Sequence, residues 1–406
     1  MTTTATEIPI GERVRFYRQA QQKKQAVVAG LAGITEDYLS QIERGVRTPT
    51  VPLLHRLSRI LDVPVAALFG EPSFEPDSTV HPIGAVLQRT LTSYHAVNGD
   101  HDAAELGLLR TRLGEAWTTW QTSRARFSET AALIPELVAD VQSATRSLRR
   151  HDDAGVRREA CRLAADMYFL LRTFTKRIGR PDLALLVADR GVSAAEDADD
   201  PLRVAAAKWN LGQILLSRNE PESAEELAIC GVRELRRALP EQTPDRAALE
   251  GALWLVAAVA AARNGDCWTA RDRLRDQAMP AAEVSGDGNV FWTVFGPTNV
   301  MLHSVSVEME AGETAEALRL ADRVDLASSP SLERRTTFAI EVARCYELRR
   351  EDAAVFLHLL NAESTGPEDL RYNVMARDLV RGLLKRARPT YASQVNGLAG
   401  RIGLYA

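Results

Sequence analysis

Residues 25–70 read QAVVAGLAGITEDYLSQIERGVRTPTVPLLHRLSRILDVPVAALFG and contain two short helical patterns separated by a glycine. We expect the first helix to run from Gln25 to Ala32 and to stop at Gly33, because glycine readily takes the left-handed conformation that closes a helix. A second helix begins after Thr35, whose hydroxyl is suited to cap its first turn. This stretch therefore predicts two helices joined by a sharp turn.

The helix after Thr35 combines a narrow apolar edge with a polar face. Leu39 and Ile42 are three positions apart, and both are expected to face the core. The other side chains of this helix are polar, and we expect them to face outward: Glu36, Asp37, Ser40, Gln41 and Arg44. This face is available to enter a groove.

Three further short helices flank this pair. They are expected over residues 10–21, 51–61 and 64–69. The first of them carries Ile10, Val14 and Tyr17 on one stripe at helical spacing. Five helices between residues 9 and 70 predict a small all-α domain, which we call the head.

The charge of the chain is unevenly distributed. The head has nine Lys or Arg residues and five acidic ones, a net charge of +4, whereas the rest of the chain carries −8. Polyanions are attracted to basic surfaces and repelled by acidic ones. Any contact with nucleic acid is therefore expected at the head.

The stretch 25–70 resembles the helix-turn-helix domains of the Cro and phage-repressor family, also called the xenobiotic-response-element family. The resemblance rests on Gln25, Ala29, Gly33, the run 38–40, the run 42–45, Pro49 and the apolar periodicity of residues 54–61. It covers about a sixth of the chain. Two residues depart from the family pattern, since Lys23 stands where an apolar residue is usual and Lys24 replaces the usual Ser or Thr cap.

The resemblance implies that the helix after Thr35 lies in the major groove of double-stranded DNA. Base contacts are then implied for Thr35, Glu36, Asp37, Ser40 and Gln41, because amides bond adenine and carboxylates accept from the cytosine amino group. Phosphate contacts are implied for Gln25, Arg44, Arg47 and Thr48. Glu36 and Asp37 have the alternative role of complementing the helix dipole. Glu43 is expected to be structural and to pair with an arginine of the head.

Residues 71–82, EPSFEPDSTVHP, contain three prolines and little apolar periodicity, which is typical of a linker. Helical patterns dominate from residue 83 to the end of the chain. We call residues 83–406 the body.

The turns between helices of the body repeat a motif in which a Gly or polar residue is followed five positions later by Ala. The pairs are Gly179/Ala184, Asn219/Ala224, Gly265/Ala270, Gly312/Ala317 and Arg349/Ala354. Their intervals of 40, 46, 47 and 37 residues fit stacked helical hairpins, with the alanine allowing two helices to approach closely.

The body resembles a degenerate tetratricopeptide array. Together with the head, it is similar to the large helical regulators of actinomycetes and, more distantly, to the peptide-pheromone receptors of Gram-positive bacteria. The resemblance implies an α-solenoid that dimerises and that senses a peptide or small molecule on its concave surface.

Four residues of the body are candidate ligand contacts: Asn210, Trp292, Asn299 and His303. Asn299 and His303 are four apart and share a helix face, and Trp292 lies in the aromatic stretch before them. An asparagine on a concave face can bond a peptide backbone through its amide. The alternative is that the aromatic residues pack between repeats and that His303 lies at the surface or in the core.

The sequence lacks the parts of an enzyme. It has no glycine-rich phosphate loop and no pair of histidines four apart, so we expect no enzymatic activity, no cofactor and no metal site. Cys161, Cys230, Cys267 and Cys345 are far apart and are interpreted as buried thiols. No signal peptide or membrane-spanning run is visible, so a cytoplasmic protein without membrane contact is expected.

The sequence therefore predicts a transcriptional regulator that binds DNA as a homodimer on inverted half-sites, with an effector held by the body. An alternative of another class is a protein-interaction adaptor, in which the repeats bind a partner protein and DNA binding is secondary.

Overall fold

The computed structural model describes residues 10–20, 23–61, 63, 68, 83–93, 103–326, 329 and 331–404. Every regular element in those ranges is helical, which confirms the predicted all-α class. The chain divides into two compact units, Met1–Ser78 and Thr79–Ala406, which contain the head and the body. The predicted linker 71–82 lies outside the described residues, so its bounds stay a prediction.

Four helices of the head are described: α1 (Ile10–Ala20), α2 (Gln25–Ala32), α3 (Glu36–Glu43) and α4 (Val51–Ile60). Their common core includes the fully buried Val14, Val28, Leu39, Ile42 and Leu57. The fifth helix predicted over residues 64–69 lies outside the described residues apart from Leu68, which is helical and buried in this core.

Local capping explains the turn between α2 and α3. Gly33 has a φ of 69°, the left-handed conformation predicted for the end of α2. The hydroxyl of Thr35 then accepts a hydrogen bond from the Tyr38 backbone N–H at 3.2 Å, as expected for a capping residue. α1 packs directly against the end of α3. The contact leaves no room for a side chain at Gly11, where an added Cβ would collide with the Ile42 carbonyl. The head is thus compact around α3.

The body is a succession of helices. Its first half contains α5 (Ile83–Thr92), α6 (Ala103–Thr122), α7 (Arg126–Ser147), α8 (Ala154–Arg177), α9 (Pro181–Asp197), α10 (Pro201–Ser217), α11 (Pro221–Ala238) and α12 (Pro244–Arg263). The second half contains α13 (Cys267–Arg273), α14 (Met279–Ser285), α15 (Pro297–Glu310), α16 (Thr314–Ala321), α17 (Leu332–Leu348), α18 (Asp352–Thr365), α19 (Pro367–Tyr372), α20 (Val374–Arg386) and α21 (Pro389–Arg401). Each helix from α8 to α12 packs on the next, and α10 also contacts α8 and α12. This stack of helical hairpins is the tetratricopeptide-like arrangement that the sequence predicts.

The turn motif of the body is confirmed at four of its five predicted places. The first residue of each pair has a positive φ, and the alanine five positions later is fully buried: Gly179/Ala184, Asn219/Ala224, Gly265/Ala270 and Gly312/Ala317. The fifth predicted pair, Arg349/Ala354, is wrong, because the motif lies one residue later in the chain. The positive φ is at Arg350 and the fully buried residue is Val355, so valine takes the place of alanine at this crossing.

The interpretation of the cysteines as buried thiols holds only for Cys345. Cys230 is exposed, and Cys161 and Cys267 are half-buried. Apolar neighbours in the sequence misled this interpretation, because adjacent residues of an amphipathic helix face different directions. No helix in the described ranges is both long enough and apolar enough to cross a membrane.

The first and last parts of the body are joined by buried ion pairs. The guanidinium of Arg126, at the start of α7, bonds both carboxylate oxygens of Asp369 and contacts Glu333 at 3.2 Å. Beside it, the Glu368 carboxylate accepts the backbone N–H of Phe127 at 2.7 Å and that of Ser128 at 3.2 Å. Glu368 therefore caps α7 from a helix that lies some 240 residues later in the chain.

α12 packs closely on the segment before α15, and a substitution at Gly251 tests this contact. A Cβ added at Gly251 would collide with the buried ring of Phe295. We expect Gly251→Ala to destabilise the body by about 1–3 kcal/mol through overpacking. The matched control is Gly114→Ala in α6, where a Cβ meets nothing within 4 Å and should stabilise by about 0.5–1 kcal/mol. Thermal unfolding followed by circular dichroism checks both, and a Gly251→Ala chain that melts no earlier than the wild type would contradict this packing.

Candidate functional site

The predicted base-contacting residues lie together on the outer face of α3. Thr35, Glu36 and Asp37 are exposed, and Ser40 and Gln41 are half-buried one turn later. Leu39 and Ile42 are fully buried on the opposite side, as predicted. The apolar edge packs into the core of the head, so the polar face of α3 is turned toward solvent.

Two of these residues bond each other. The Gln41 amide nitrogen donates to an Asp37 carboxylate oxygen at 2.7 Å. The bond leaves the Gln41 carbonyl oxygen and its second N–H free, which are the two groups that adenine requires. Asp37 therefore orients the Gln41 amide.

Glu43 is structural, as predicted, and its partner is Arg18. The buried Glu43 carboxylate accepts from Arg18 Nε at 2.6 Å and from Arg18 Nη2 at 2.8 Å. The Gln25 amide nitrogen donates to the same carboxylate at 3.0 Å. One carboxylate thus joins α1, α2 and α3. The bond occupies one N–H of Gln25 and leaves the other for a phosphate.

The residues after α3 form an exposed basic flank. Arg44, Arg47 and Thr48 are all exposed, and the Arg47 guanidinium lies over the Tyr38 ring at 5.4 Å. Lys23 has a different role, because its ammonium donates to the Ile60 carbonyl at the end of α4. That bond explains why a lysine is accommodated where the family has an apolar residue.

The body contains two adjoining cavities. The first, the tryptophan cavity, is lined by Trp117, Trp120, Trp209 and Trp292. The second, the groove, has a volume of about 380 Å³ and lies between α8, α12, α15 and α17. Lys176, Arg177, Gln213 and Arg334 line both, and we call this shared region the junction.

Two of the four candidate ligand residues line these cavities. His303 faces the groove, and Trp292 faces the tryptophan cavity, where it stacks on Trp117 with ring centroids 4.4 Å apart. Asn299 is buried beside a separate small void. Asn210 lines neither cavity, and both groups of its amide are already bonded. The amide oxygen accepts from Arg172 Nε at 2.6 Å, and the amide nitrogen donates to the Ala206 carbonyl.

The imidazole of His303 is uncharged. Burial, with a contribution from Arg334, lowers its pKa to about 3. Its Nδ1 lies 2.8 Å from the Asn299 carbonyl and therefore donates to it, which leaves Nε2 as an acceptor. His303 thus brings no positive charge to the groove.

The basic residues of the junction were not among the sequence candidates. Arg172 lies beside the junction on α8, Lys176 and Arg177 follow it one turn later, and Arg334 faces them from α17. Burial, reinforced by Arg177 and Arg172, lowers the pKa of Lys176 to about 7. The signal in the sequence is the run FLLRTFTKR, in which three bases interrupt an otherwise apolar helix.

Residues 9–68 match the helix-turn-helix domain family. This region is 38% identical over 63 residues to the HTH-type transcriptional regulators SinR of Bacillus licheniformis and of Bacillus subtilis strain 168. The match spans 15% of this chain and 57% of each relative, so the chain covers little more than half of their length.

Two solved structures are similar to this chain over most of its length. PlcR of Bacillus thuringiensis, in complex with a peptide and DNA, is 12% identical and has a TM-score of 0.36 over 91% of this chain and 98% of its own. A Rap protein complexed with competence and sporulation factor is 13% identical, with a TM-score of 0.42 over 97% and 99%. At these values, neither structure identifies a ligand or partner of this chain. The family match of the head is more specific, and it identifies residues 9–68 as a helix-turn-helix domain.

Proposed function

We propose that the chain is a sequence-specific regulator of transcription that binds double-stranded DNA through α3. The observation that carries this proposal is the exposed polar face of α3 with the exposed Arg44 and Arg47 directly after it. Side chains of the first turns reach base edges, while the basic flank and Thr48 contact the backbone. The similarity of the head to two transcriptional regulators supports the same role.

The Glu43 cluster keeps this interface rigid. Because Arg18 and Gln25 both bond Glu43, the three helices around the reading face are fixed before DNA arrives. A preformed interface loses little conformational entropy on binding. α3 can then discriminate bases through Gln41 and its neighbours.

We further propose that two chains bind inverted half-sites about one helical turn apart. The body joins the subunits and holds a small-molecule or peptide effector in its groove. The effector changes DNA affinity only by binding the DNA-competent arrangement of the dimer more or less tightly than the other. A groove of about 380 Å³ lies within the size range of sites for small molecules.

Gln41→Ala tests base reading. We expect specific binding to weaken by about 1–3 kcal/mol, because the substitution removes a bidentate contact with a base. Gel-shift titration with promoter DNA of the chain's own gene and its neighbours measures the loss. Gln394→Ala, an exposed glutamine on α21, is the control and should bind as the wild type does. If Gln41→Ala kept the same sequence preference, Gln41 would not read a base. A wild-type chain that shifted no duplex at all would favour the adaptor alternative.

Arg47→Ala tests the basic flank. We expect a similar loss of affinity for specific and nonspecific duplexes, together with a salt slope of log K smaller by about 1, because one phosphate contact is lost. Binding measured at several salt concentrations checks both effects. Arg237→Ala on α11, also exposed, serves as the charge-matched control. A loss confined to one sequence would make Arg47 a base reader instead.

A further inference from the structure

Three basic side chains at and beside the junction have no carboxylate partner. Arg172, only 6% exposed, bonds the uncharged Asn210, and the Lys176 ammonium donates to the Gln213 carbonyl at 3.3 Å. Arg334 forms no ion pair with any residue that the structure describes. The junction therefore concentrates basic groups that form no ion pair of their own within the described residues.

The carboxylates nearest to the junction are already engaged. Glu333 is shared between Arg177, at 2.6 Å, and Arg126, at 3.2 Å. Glu341 accepts from the Ser306 hydroxyl at 3.1 Å, and burial raises its pKa. Both acids lie near enough to act on Arg334 through space, but within the described residues neither forms an ion pair with Lys176 or Arg334.

Such an arrangement is unfavourable for the empty protein. A charge removed from water without a counter-charge costs free energy, and like charges on successive turns of a helix repel each other. Arg172 and Lys176 are four positions apart on α8 and are arranged in this way. An anion at the junction would remove both penalties.

The tryptophan cavity adjoins this charge and has four indole rings in its wall. Trp292 is held against Trp117 by a strained backbone, with φ values of 46° at Phe291, 59° at Trp292 and 52° at Val294. Three consecutive or near-consecutive residues of this kind in the left-handed region cost free energy that the surrounding contacts must balance. The segment therefore places an indole ring next to the junction at a cost to stability.

We infer that the junction binds an anionic group, a carboxylate or a phosphate, of a small ligand whose apolar part lies against the tryptophans. Lys176 and Arg334 contact the anion, and Arg172 contributes positive charge from the side. This inference rests on the proposal that the body holds an effector and names the chemical class of that effector.

Calorimetric titration of the full chain with three probes that share one naphthalene ring tests the inference. The probes are 1-naphthaleneacetate, 1-naphthyl phosphate and the uncharged 1-naphthaleneethanol. We expect at least one anion to bind roughly tenfold more tightly than the uncharged probe, as charge-assisted hydrogen bonds at a shielded site allow. The tighter of the two anions shows whether a carboxylate or a phosphate is preferred.

Variants of the junction assign the preference to named residues. Lys176→Met and Arg334→Met keep most of the side-chain volume, and each should reduce the preference for the anion severalfold. Arg237→Met, an exposed arginine on α11, is the control and should retain it. Equal affinity of the wild type for all three probes, or a preference that survives both substitutions, would overturn the inference.

Stability without ligand gives a second, independent readout. If Lys176 is present for a ligand, Lys176→Met should raise the Tm of the empty protein at pH 6, below the Lys176 pKa of about 7, because it removes a buried charge that has no ion pair. If Lys176 is merely structural, the same substitution should lower the Tm, and the inference fails. Neither readout involves DNA, so failure here leaves the operator experiments as the separate test of the proposed function.

Discussion

The fully buried guanidinium of Arg126 is the interaction on which the body depends. It joins the start of α7 to Asp369 and Glu333, which lie more than 200 residues later in the chain. A stack of hairpins has only contacts between neighbours, so its two ends are free unless something connects them. Here a bidentate arginine makes the connection, and Glu368 strengthens it by capping the same helix. The tryptophan cavity and the groove lie between the helices that this connection brings together.

The same ion pairs determine the charge of that space. Glu333 forms ion pairs with Arg126 and with Arg177. Burial would raise the pKa of Glu333, but Arg177, Arg126 and the nearby Arg334 hold it well below the ordinary value. Because both ion pairs of this carboxylate serve the structure, Lys176 and Arg334 are left without an ion pair of their own. The positive charge of the junction is thus a consequence of how the body is closed.

The sequence predicts what local contacts determine. Gly33, Thr35 and the apolar edge of α3 act within a few residues, so the helix bounds of the head could be predicted closely, as could the structural role of Glu43. The turns of the body were also visible, apart from the last, where Val355 replaces alanine. The junction was not visible, because Lys176 and Arg334 come together only through the folding of distant helices. Asn210 was selected as a candidate ligand contact, but its amide is used to hold Arg172.

The two exposed acids at the start of α3 have a consequence for the search along a genome. Glu36 and Asp37 face outward from a head that is otherwise basic, so every phosphate they approach repels them. Electrostatic attraction normally provides most of the affinity for random duplex. Acidic side chains on the polar face of α3 reduce that attraction at every DNA site, except where a base offers them a hydrogen-bond donor. The head would therefore spend less time on incorrect sites, and discrimination would increase through faster dissociation from random DNA.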